Sequence, residues 1–549
     1  MRFTLDSHEL SLEEGATYLD ATRLVYPENP RRVLGIRVKG MSLPLDEKPR
    51  EGEQAASLTV DTEEGRRIYE RSLRFVMLYA MKRLYPSVRV RVENSTQHGV
   101  YITVEGMTLT TSAIEMIDRE MRHIIAEDMP YERFVMTRED AQKLYRDAGE
   151  PDKMRLLEYR PFDYFTIYRL GDMYEYFYGE MPPSTGYAGV FALYMCLPGI
   201  QLQLPDPEDP SRESPFSDSP KLRQTFAESS NWARILDCDN ISDLNDMIRK
   251  RRLREFIRVN EALHEKSISD IADKFTSSGA QVILIAGPSS SGKTTFAHRL
   301  MIQLKVRGLK PVKISLDDYY IDRDKLPLEP DGTHDLEKLE TLDIRLFNDQ
   351  LVALLQGELV ELPIYDFTLQ KRVEKTHSLK LAPGQPIVIE GIHALNDRLT
   401  CAIPRHKKFL IYISALTTLN MDDHNRIRTT DFRLLRRMVR DHHFRNTTPD
   451  ETLKMWDSVR NGERKYILPY QESCDVMFNS TLHYEAAVLK KYAYPMLCET
   501  SPDEPYYTRV HRLIKFLNYV QSADVEDEIP VNSILREFIG GCCFYYEDD

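Results

Sequence analysis

The stretch Gln281-Val-Ile-Leu-Ile-Ala286-Gly287-Pro-Ser-Ser-Ser-Gly292-Lys293-Thr294-Thr295 decides the fold of the C-terminal half of this chain. Its first six residues form an apolar run that predicts a buried strand, and the next eight match G-x-x-x-x-G-K-[ST]. Helix-forming residues with apolar Phe296, Leu300 and Leu304 follow. The motif and its context favour a phosphate-binding P-loop over a chance glycine-serine turn between a strand and a helix.

The residue types of this loop suit a nucleoside triphosphate. Glycine tolerates positive φ, so Gly287 and Gly292 allow backbone N–H groups to wrap a phosphate at the positive end of the helix dipole. Lys293 is predicted to reach the β- and γ-phosphates, and the hydroxyl of Thr294 to ligate Mg²⁺. The predicted nucleotide-binding loop comprises Gly287, Pro288, Ser289, Ser290, Ser291, Gly292, Lys293, Thr294 and Thr295.

Length and composition indicate a soluble multidomain protein. The 549 residues suggest three or four domains at about 150 residues each, and the contents of hydrophobic (42%) and charged (29%) residues are those of a globular chain. No apolar run reaches membrane-spanning length. The N-terminus carries Asp6 and Glu9 where a signal peptide would be apolar, which predicts a cytoplasmic protein that does not bind membranes.

Charge and cysteine content narrow the function classes further. The net charge of -13 argues against broad nucleic-acid binding, and the basic stretch 250–254 favours a solvated helix face over a phosphate contact. Seven cysteines, an odd and scattered set, predict no disulfide framework. The adjacent Cys542 and Cys543 lie in an apolar tail and favour packing over chemistry.

The chain before the P-loop divides into three predicted units. Residues 1–60 mix short strand-like runs with one helix near 17–25. Residues 61–230 begin with helical periodicity, continue with alternating runs at 88–92 and 100–104 that should pair antiparallel, and add a helix over 112–127. A proline-bearing linker at 205–215 should be extended. Residues 231–278 predict two connector helices before a final unit at 279–549.

The first two units resemble the N-terminal half of threonyl-tRNA synthetases, a ubiquitin-like TGS module followed by an amino-acid-editing module. The resemblance spans residues 1 to about 205. It is carried by Glu64-Gly-Arg-Arg-Ile-Tyr-Glu-Arg-Ser72, Ala80-Met-Lys-Arg-Leu-Tyr-Pro86 and Ile125-Ala-Glu-Asp-Met-Pro-Tyr-Glu-Arg133.

The chain departs from the synthetases at the editing site itself. Those modules carry H-x-x-x-H and C-x-x-x-H, whereas the matching positions here are Arg71, Phe75, Tyr174 and Tyr178. Arginine keeps its proton and phenylalanine has no lone pair, so we expect neither a zinc site nor deacylation. Residues 1–230 are therefore predicted to be a retained scaffold, with a repurposed small-molecule or subunit-contact role as the alternative.

The C-terminal half has the pattern of a parallel, doubly wound α/β sheet. Apolar runs at 281–286, 311–316, 386–391, 408–413 and 475–478 alternate with helical stretches. Ligands of such sheets collect at the carboxyl ends of the strands. Asp317, which follows the second run, is the predicted general base for an acceptor hydroxyl, and Glu390 is predicted to orient Mg²⁺ or its waters.

A basic helix follows these strands. Arg433, Arg437 and Arg440 recur at helical spacing and should share one face. They predict a mobile lid that clamps the transferring phosphoryl group, with a solvated basic face as the alternative.

The C-terminal half resembles the uridine kinase and phosphoribulokinase family of P-loop kinases. The motifs that carry the resemblance are Gly287 to Thr295, Ser315-Leu-Asp-Asp-Tyr-Tyr320, Pro363-Ile-Tyr-Asp-Phe367, Ile389-Glu-Gly-Ile392 and Arg436-Arg-Met-Val-Arg-Asp441. The resemblance implies that Asp317 deprotonates a nucleoside 5′-hydroxyl, that Lys293 and Thr294 hold triphosphate and Mg²⁺, and that Arg437, Arg440 and Arg445 belong to the lid.

The same resemblance implies the acceptor pocket. Tyr320, Tyr365 and Phe367 would line it, and Asp335 would bind the ribose hydroxyls, although the family's H-P-D pattern is replaced after Asp335. Gln370 stands where pyrimidine kinases of the family carry a base-reading histidine. A glutamine amide both donates and accepts, so a base can still be read there.

The synthetase-like N-terminal half and the kinase-like C-terminal half together resemble a class of long bacterial nucleoside kinases that carry such a synthetase-like N-terminal fusion. The function implied is transfer of the ATP γ-phosphate, with Mg²⁺, to a nucleoside such as uridine or cytidine. One alternative is a kinase of a sugar, polyol or sugar phosphate. Another is an RNA-associated regulatory protein that senses ATP. The choice of ATP or GTP stays open, and a homo-oligomer is expected by analogy alone.

Overall fold

The computed structural model describes residues 1–96, 98–326, 335, 337–366 and 369–544. Within these residues a β-rich N-terminal half is joined by three helices to an α/β C-terminal half. No helix in the described ranges combines the length and apolarity needed to cross a membrane.

The first unit is a small mixed sheet with one helix packed on it. Its strands run in the order β2-β1-β5-β3-β4, and the central pair β1 and β5 is parallel. Leu5, Tyr18 and Ile36 form the centre of its core. Its elements are β1 (Arg2–Leu5), β2 (His8–Ser11), α1 (Tyr18–Val25), β3 (Gly35–Val38), β4 (Met41–Leu43) and β5 (Gln54–Leu58).

The second unit is built around one long buried helix, α2. The antiparallel pairing predicted for the runs at 88–92 and 100–104 is confirmed by β6 and β7, within a sheet of order β11-β12-β7-β6. A second sheet has the order β10-β9-β8. The elements are α2 (Glu63–Leu84), β6 (Arg89–Ser95), β7 (Gly99–Glu105), α3 (Thr111–Ala126), β8 (Glu132–Thr137), α4 (Arg138–Asp147), α5 (Pro151–Leu157), β9 (Tyr164–Leu170), β10 (Met173–Glu175), β11 (Ala192–Cys196) and β12 (Gly199–Gln203).

The segment after β12 folds back on itself instead of running extended as predicted. The backbone N–H of Ser214 donates to the carbonyl of Leu204 (3.0 Å), and that of Asp206 donates to the carbonyl of Arg212 (2.9 Å). Three helices follow, of which the sequence predicted only the last two. They are α6 (Pro220–Ile235), α7 (Ile241–Arg249) and α8 (Leu253–Ser278).

The C-terminal half confirms the predicted parallel α/β sheet. Its order is β14-β19-β13-β20-β23, and every neighbouring pair is parallel. The elements are β13 (Val282–Ala286), α9 (Lys293–Val306), β14 (Val312–Ser315), α10 (Ile344–Leu355), β15 (Leu359–Leu362), β16 (Tyr365–Asp366), β17 (Lys371–Arg372), β18 (His377–Lys380), β19 (Ile387–Glu390), β20 (Lys408–Ser414), β21 (Asn420–Asp422), β22 (Asn425–Arg426), α11 (Thr429–Phe444), α12 (Pro449–Gly462), β23 (Val476–Asn479), α13 (Glu485–Cys498), α14 (Tyr507–Leu517) and α15 (Arg536–Ile539).

The two halves interlock through the hairpin β21–β22. Asp423 in its turn pairs with Arg89 (2.6 Å), and Arg426 and Arg428 pair with the buried Glu70 of α2. Burial alone would raise the pKa of Glu70, but Arg428 and Arg426 hold it well below its usual value. The buried charge of Glu70 in the front half is therefore neutralised mainly by two arginines of the back half.

Candidate active site

The P-loop lies between β13 and α9, and its backbone is shaped for an anion. A Cβ on Gly287 would lie 2.0 Å from the carbonyl oxygen of Ile413, so only glycine fits there. Gly292 has φ 84°. The second left-handed position is Ser290, with φ 59°, and not Gly287 as the motif suggested. Two left-handed residues turn successive amides toward the start of α9, where a phosphate binds.

Several polar groups of the loop are not committed to protein partners. Among the described residues, the Lys293 amine donates to two backbone carbonyls, those of Gly287 (3.0 Å) and Pro288 (3.2 Å). The buried hydroxyls of Ser290 and Ser291 have no hydrogen-bond partner among the described residues. Buried hydroxyls in proteins are normally paired, so an anion with several acceptor oxygens fits this loop.

Glu390 at the end of β19 meets the start of α9. The Thr294 hydroxyl donates to Glu390 Oε1 (3.4 Å), and the Lys313 amine lies 3.7 Å from the same oxygen. Burial raises the pKa of Glu390, the Lys313 charge lowers it, and Asp317 raises it again. The two oxygens predicted to serve Mg²⁺ are thus neighbours, although the described part of the chain contains no cluster of three metal-ligating side chains.

Asp317 and Asp318 follow β14 and serve different sides of the site. Burial lowers the pKa of Lys293, and the negative charge of Asp317 raises it. The same charge raises the pKa of Glu390. Asp318 instead accepts the backbone N–H of Tyr365 (3.3 Å), and burial raises its pKa. The charge of Asp317 thus acts on the lysine of the P-loop, whereas Asp318 is engaged by the backbone of Tyr365.

Three arginines gather around one carboxylate on α11. Asp441 lies 3.1 Å from Arg437 Nε, 2.7 Å from Arg440 Nη2 and 3.7 Å from Arg445 Nε. Arg437 also donates to the hydroxyl of Ser289 in the P-loop (3.0 Å). All three predicted lid arginines are thus brought together beside the loop. Asp441, which closes the motif Arg436 to Asp441, was not assigned this role from the sequence.

Arg433 and Arg436 of the same helix point into the protein. Arg433 pairs with Glu463 and donates to the carbonyl of Ser289 (2.9 Å), and Arg436 pairs with Glu485. Both side chains are buried. Arg433 and Arg437 thus share the face of α11 that meets Ser289, and Arg433 is held there by Glu463 as well. The motion of a lid stays a prediction.

The acceptor side is described in part. The rings of Tyr320 and Tyr365 lie 5.7 Å apart, and Asp335 accepts the Tyr466 hydroxyl (3.5 Å). Phe367, predicted to line this pocket, lies outside the described residues. Gln370 is exposed with φ 55°, and its amide oxygen accepts from Arg323 (2.8 Å).

Glu337 is a further acidic residue of the site that the sequence did not suggest. Burial raises its pKa, while the charges of Arg437 and Lys293 lower it. The charges of two phosphate-binding side chains therefore act on it. No motif of this chain marks it, because the segment before it departs from the family pattern.

The four positions of the former editing site are used for packing. Phe75 is fully buried and stacks on Tyr131 at 5.6 Å, and Tyr178 packs edge-on against Tyr519 at 5.5 Å. Arg71 donates from Nε to the carbonyl of Glu180 (2.9 Å). Tyr174 lies 6.5 Å from the ring of Phe134.

Comparison with known families agrees with this site. Residues 282–485 match the family described as Phosphoribulokinase / Uridine kinase family. The C-terminal half carries a domain of this family. The kinase-family domain contains the P-loop, Asp317, Glu390 and the arginine helix α11.

The N-terminal region matches a different class of protein. The chain is 31% identical over 183 residues to threonine–tRNA ligase of Clostridium tetani, which is 33% of this chain and 29% of the ligase. It is 29% identical over 182 residues to threonine–tRNA ligase of Carboxydothermus hydrogenoformans, with the same two shares, 33% and 29%. The chain thus spans less than a third of the length of these relatives.

Two solved structures are similar to the kinase-family domain. A structure described as a possible uridine kinase from Bacillus stearothermophilus shares 18% identity at a TM-score of 0.26, covering 38% of this chain and 98% of that one. D-glycerate 3-kinase from Cryptococcus neoformans shares 15% identity at a TM-score of 0.21, covering 49% and 87%. At these scores the substrates of neither protein are transferred to this chain.

Proposed function

We propose that the kinase-family domain is a nucleoside kinase that transfers the γ-phosphate of ATP to a nucleoside 5′-hydroxyl, with uridine or cytidine as the acceptor. The observation that carries the proposal is that Asp317 follows β14 at the carboxyl edge of the parallel sheet, where the P-loop after β13 and Glu390 at the end of β19 also lie. A carboxylate beside a P-loop lysine suits in-line transfer to an alcohol.

In this proposal the acceptor oxygen attacks the γ-phosphorus, its proton passes to Asp317, and ADP leaves. Lys293 exchanges its two backbone carbonyl partners for the β- and γ-phosphate oxygens. Arg437, Arg440 and Arg445 supply positive charge to the equatorial oxygens, as the site requires when charge spreads over them. The backbone amides of the loop and the hydroxyls of Ser290 and Ser291 take the remaining phosphate oxygens.

Thr294 and Glu390 are the residues that would hold Mg²⁺. Their oxygens are neighbours at 3.4 Å, and Mg²⁺ is commonly bound by one or two protein oxygens together with substrate phosphates and waters. When bound, the ion neutralises charge on the β- and γ-phosphates. The raised pKa of Glu390 would fall as such a cation binds, because an added positive charge favours the ionised carboxylate.

The acceptor pocket is proposed to use Tyr320 and Tyr365 as its aromatic wall and Asp335 for the ribose hydroxyls. Phe367 and Gln370 complete the proposed set, with Gln370 reading the base after it releases Arg323.

A second candidate function follows from the contact between Gln370 and Arg323. Because the Gln370 amide oxygen is already bound by Arg323, a sugar or polyol acceptor that needs no base reader is the alternative.

The front half is proposed to be a scaffold of two modules, TGS-like over 1–60 and editing-like over 61–230. A helical connector over 231–278 joins it to the kinase unit, 279–549. The packed state of Phe75 supports this proposal, because its fully buried ring stacks on Tyr131 and is not available to a ligand without unpacking.

The test is formation of ADP by the full chain with MgATP and a panel of uridine, cytidine, adenosine, glycerol, a hexose and RNA. We expect turnover with a pyrimidine nucleoside, and a 5′-monophosphate identified by mass. Turnover with the hexose or glycerol alone would support the second candidate. ATP hydrolysis that needs RNA would overturn both.

A further inference from the structure

The C-terminal segment 533–544 lies directly against the P-loop. Glu537 Oε2 accepts the backbone N–H of Thr295 (3.2 Å) and its hydroxyl (2.7 Å). The side chain of Ile534 is so close to Gly292 that a Cβ there would lie 2.5 Å from Ile534 Cγ2. The segment therefore touches both the loop and the first turn of α9.

The groups that Glu537 contacts belong to the predicted phosphate-binding site of the P-loop. Thr295 is the third residue of α9, and its N–H is one of the amides that point out of the helix N-terminus. Such amides cradle the α- and β-phosphates in P-loops. The charge of Glu537 also acts on Lys293 and Glu390. A carboxylate thus stands where a nucleotide phosphate would bind.

The segment is docked firmly in this position. Ile534, Leu535 and Phe538 are fully buried, and the Ser533 hydroxyl donates to Glu261 Oε1 (2.5 Å). The Phe544 ring stacks on that of His298 of α9 at 5.1 Å and 11°. Moving the segment away would expose several apolar side chains that are now buried, which is unfavourable.

We propose that segment 533–544 is an autoinhibitory element, which rests on the proposed function only in taking ATP as the ligand of the P-loop. Glu537 and a triphosphate compete for the same hydrogen-bond donors at the start of α9, and the two anions cannot occupy this site together. Nucleotide binding therefore requires Glu537 to leave Thr295. The apparent Kd for ATP equals the intrinsic Kd divided by the fraction of molecules in which Glu537 has left Thr295.

The first experiment measures the Kd of MgATP by calorimetry for the full-length protein and for Glu537→Ala, Glu537→Gln and Asp527→Asn. The control Asp527 is an exposed acid of the same region. We expect Glu537→Ala to bind ATP at least about tenfold more tightly than the unmodified protein. This factor follows because the segment leaves the phosphate site open in fewer than about a tenth of the molecules. The Kd of Asp527→Asn should not change. Equal or weaker binding by Glu537→Ala, or no ATP binding by any form, would overturn the proposal.

A second measurement covers the case in which Glu537→Ala is unstable. Hydrogen exchange of the unmodified protein is followed over 533–540 with and without saturating MgATP. Release of the segment predicts faster exchange with ATP, whereas slower or unchanged exchange would overturn the proposal. Because both readouts concern ATP binding, a failure of nucleoside phosphorylation leaves this test intact and counts only against the proposed function.

Discussion

The P-loop and the former editing site both contain buried hydroxyls that have no hydrogen-bond partner among the described residues. In the P-loop these are the hydroxyls of Ser290 and Ser291, and in the former editing site it is the hydroxyl of Tyr178. The two sites differ in their backbone. The P-loop has two left-handed residues, Ser290 and Gly292, before the N-terminus of α9, whereas Tyr178 packs on an aromatic ring. The comparison teaches that a buried hydroxyl without a partner indicates an anion site only where the backbone also presents amides to the ligand.

Lys293→Ala tests the comparison with the largest expected effect. Loss of a charge that serves only phosphate should reduce kcat by at least about 10³-fold, because groups that stabilise transition-state charge are worth about 10²–10³ each and this one also binds the substrate. The fold should persist. The rate of ADP formation is measured. Lys305→Ala, at an exposed position of the same helix, is the control. Near-normal turnover would refute the P-loop assignment.

Asp317→Asn should be the next largest change. Removing a general base costs about 10²–10⁴-fold in kcat, with little change in the Kd of ATP. Asp318→Asn is the matched variant, since Asp318 is engaged by the backbone of Tyr365. A larger loss of kcat in Asp318→Asn than in Asp317→Asn would move the base by one residue.

Phe75→Ala probes the other side of the comparison. A buried phenylalanine truncated to alanine costs about 3–5 kcal/mol of unfolding free energy, and kcat of the remaining folded protein should not change. Unfolding by urea and ADP formation are measured together, with the half-exposed Phe162→Ala as the control. Unchanged stability combined with a changed Kd for any ligand would make this site functional and break the comparison.

The interface between the halves should give stability a pH dependence through Asp422. Burial raises its pKa to about 7, with the Lys153 charge opposing. An unfolded aspartate titrates near 3.9, so between about pH 4 and 7 the folded protein holds a proton that the unfolded chain has lost. The stabilisation is therefore present below pH 4 and declines as pH rises to 7.

Asp422→Asn should remove that decline, and thermal unfolding of both proteins at pH 5 to 8 measures it. The stability of the variant relative to the unmodified protein should rise with pH up to 7 and then level off. Asp147→Asn, at an exposed position, is the control. Parallel pH profiles for the unmodified protein and Asp422→Asn would contradict the raised pKa.

Gln370→Ala carries the smallest expected effect. Gln370 is proposed to read the base after it releases Arg323, and its amide can turn to suit either a keto or an amino group. Its removal should therefore raise the KM for uridine and for cytidine by about twofold to tenfold, the worth of one neutral hydrogen bond, and leave the KM for ATP unchanged. Gln370→His is the comparison variant. Unchanged kcat/KM for every acceptor in both variants would place this side chain outside the acceptor pocket.

The sequence predicted the sheet well because its strands are local apolar runs. The runs at 281–286 and 408–413 became Val282–Ala286 and Lys408–Ser414. The P-loop was also predictable, since a contiguous motif fixes it. Helix α6 was missed, because its buried side includes few strongly apolar residues, notably Leu222 and Phe226.

Partners that are distant in the chain could not be predicted. Arg433 and Arg437 lie one helical turn apart, yet Arg433 is buried because Glu463 meets it from 30 residues away. The contact between Thr295 and Glu537 joins residues 242 positions apart. Helical spacing shows which residues share a face but not which face another segment will cover.

The hairpin β21–β22 has a consequence for how the protein is made. Glu70 receives Arg426 and Arg428 from 356 and 358 residues further along the chain. At a synthesis rate of about 5–20 residues per second, those arginines leave the ribosome roughly 20–70 seconds after Glu70. A buried carboxylate without its partners is costly, so the front half reaches its final packing only when the last third of the chain has arrived. The second module is thus completed by residues that belong to the kinase-family domain.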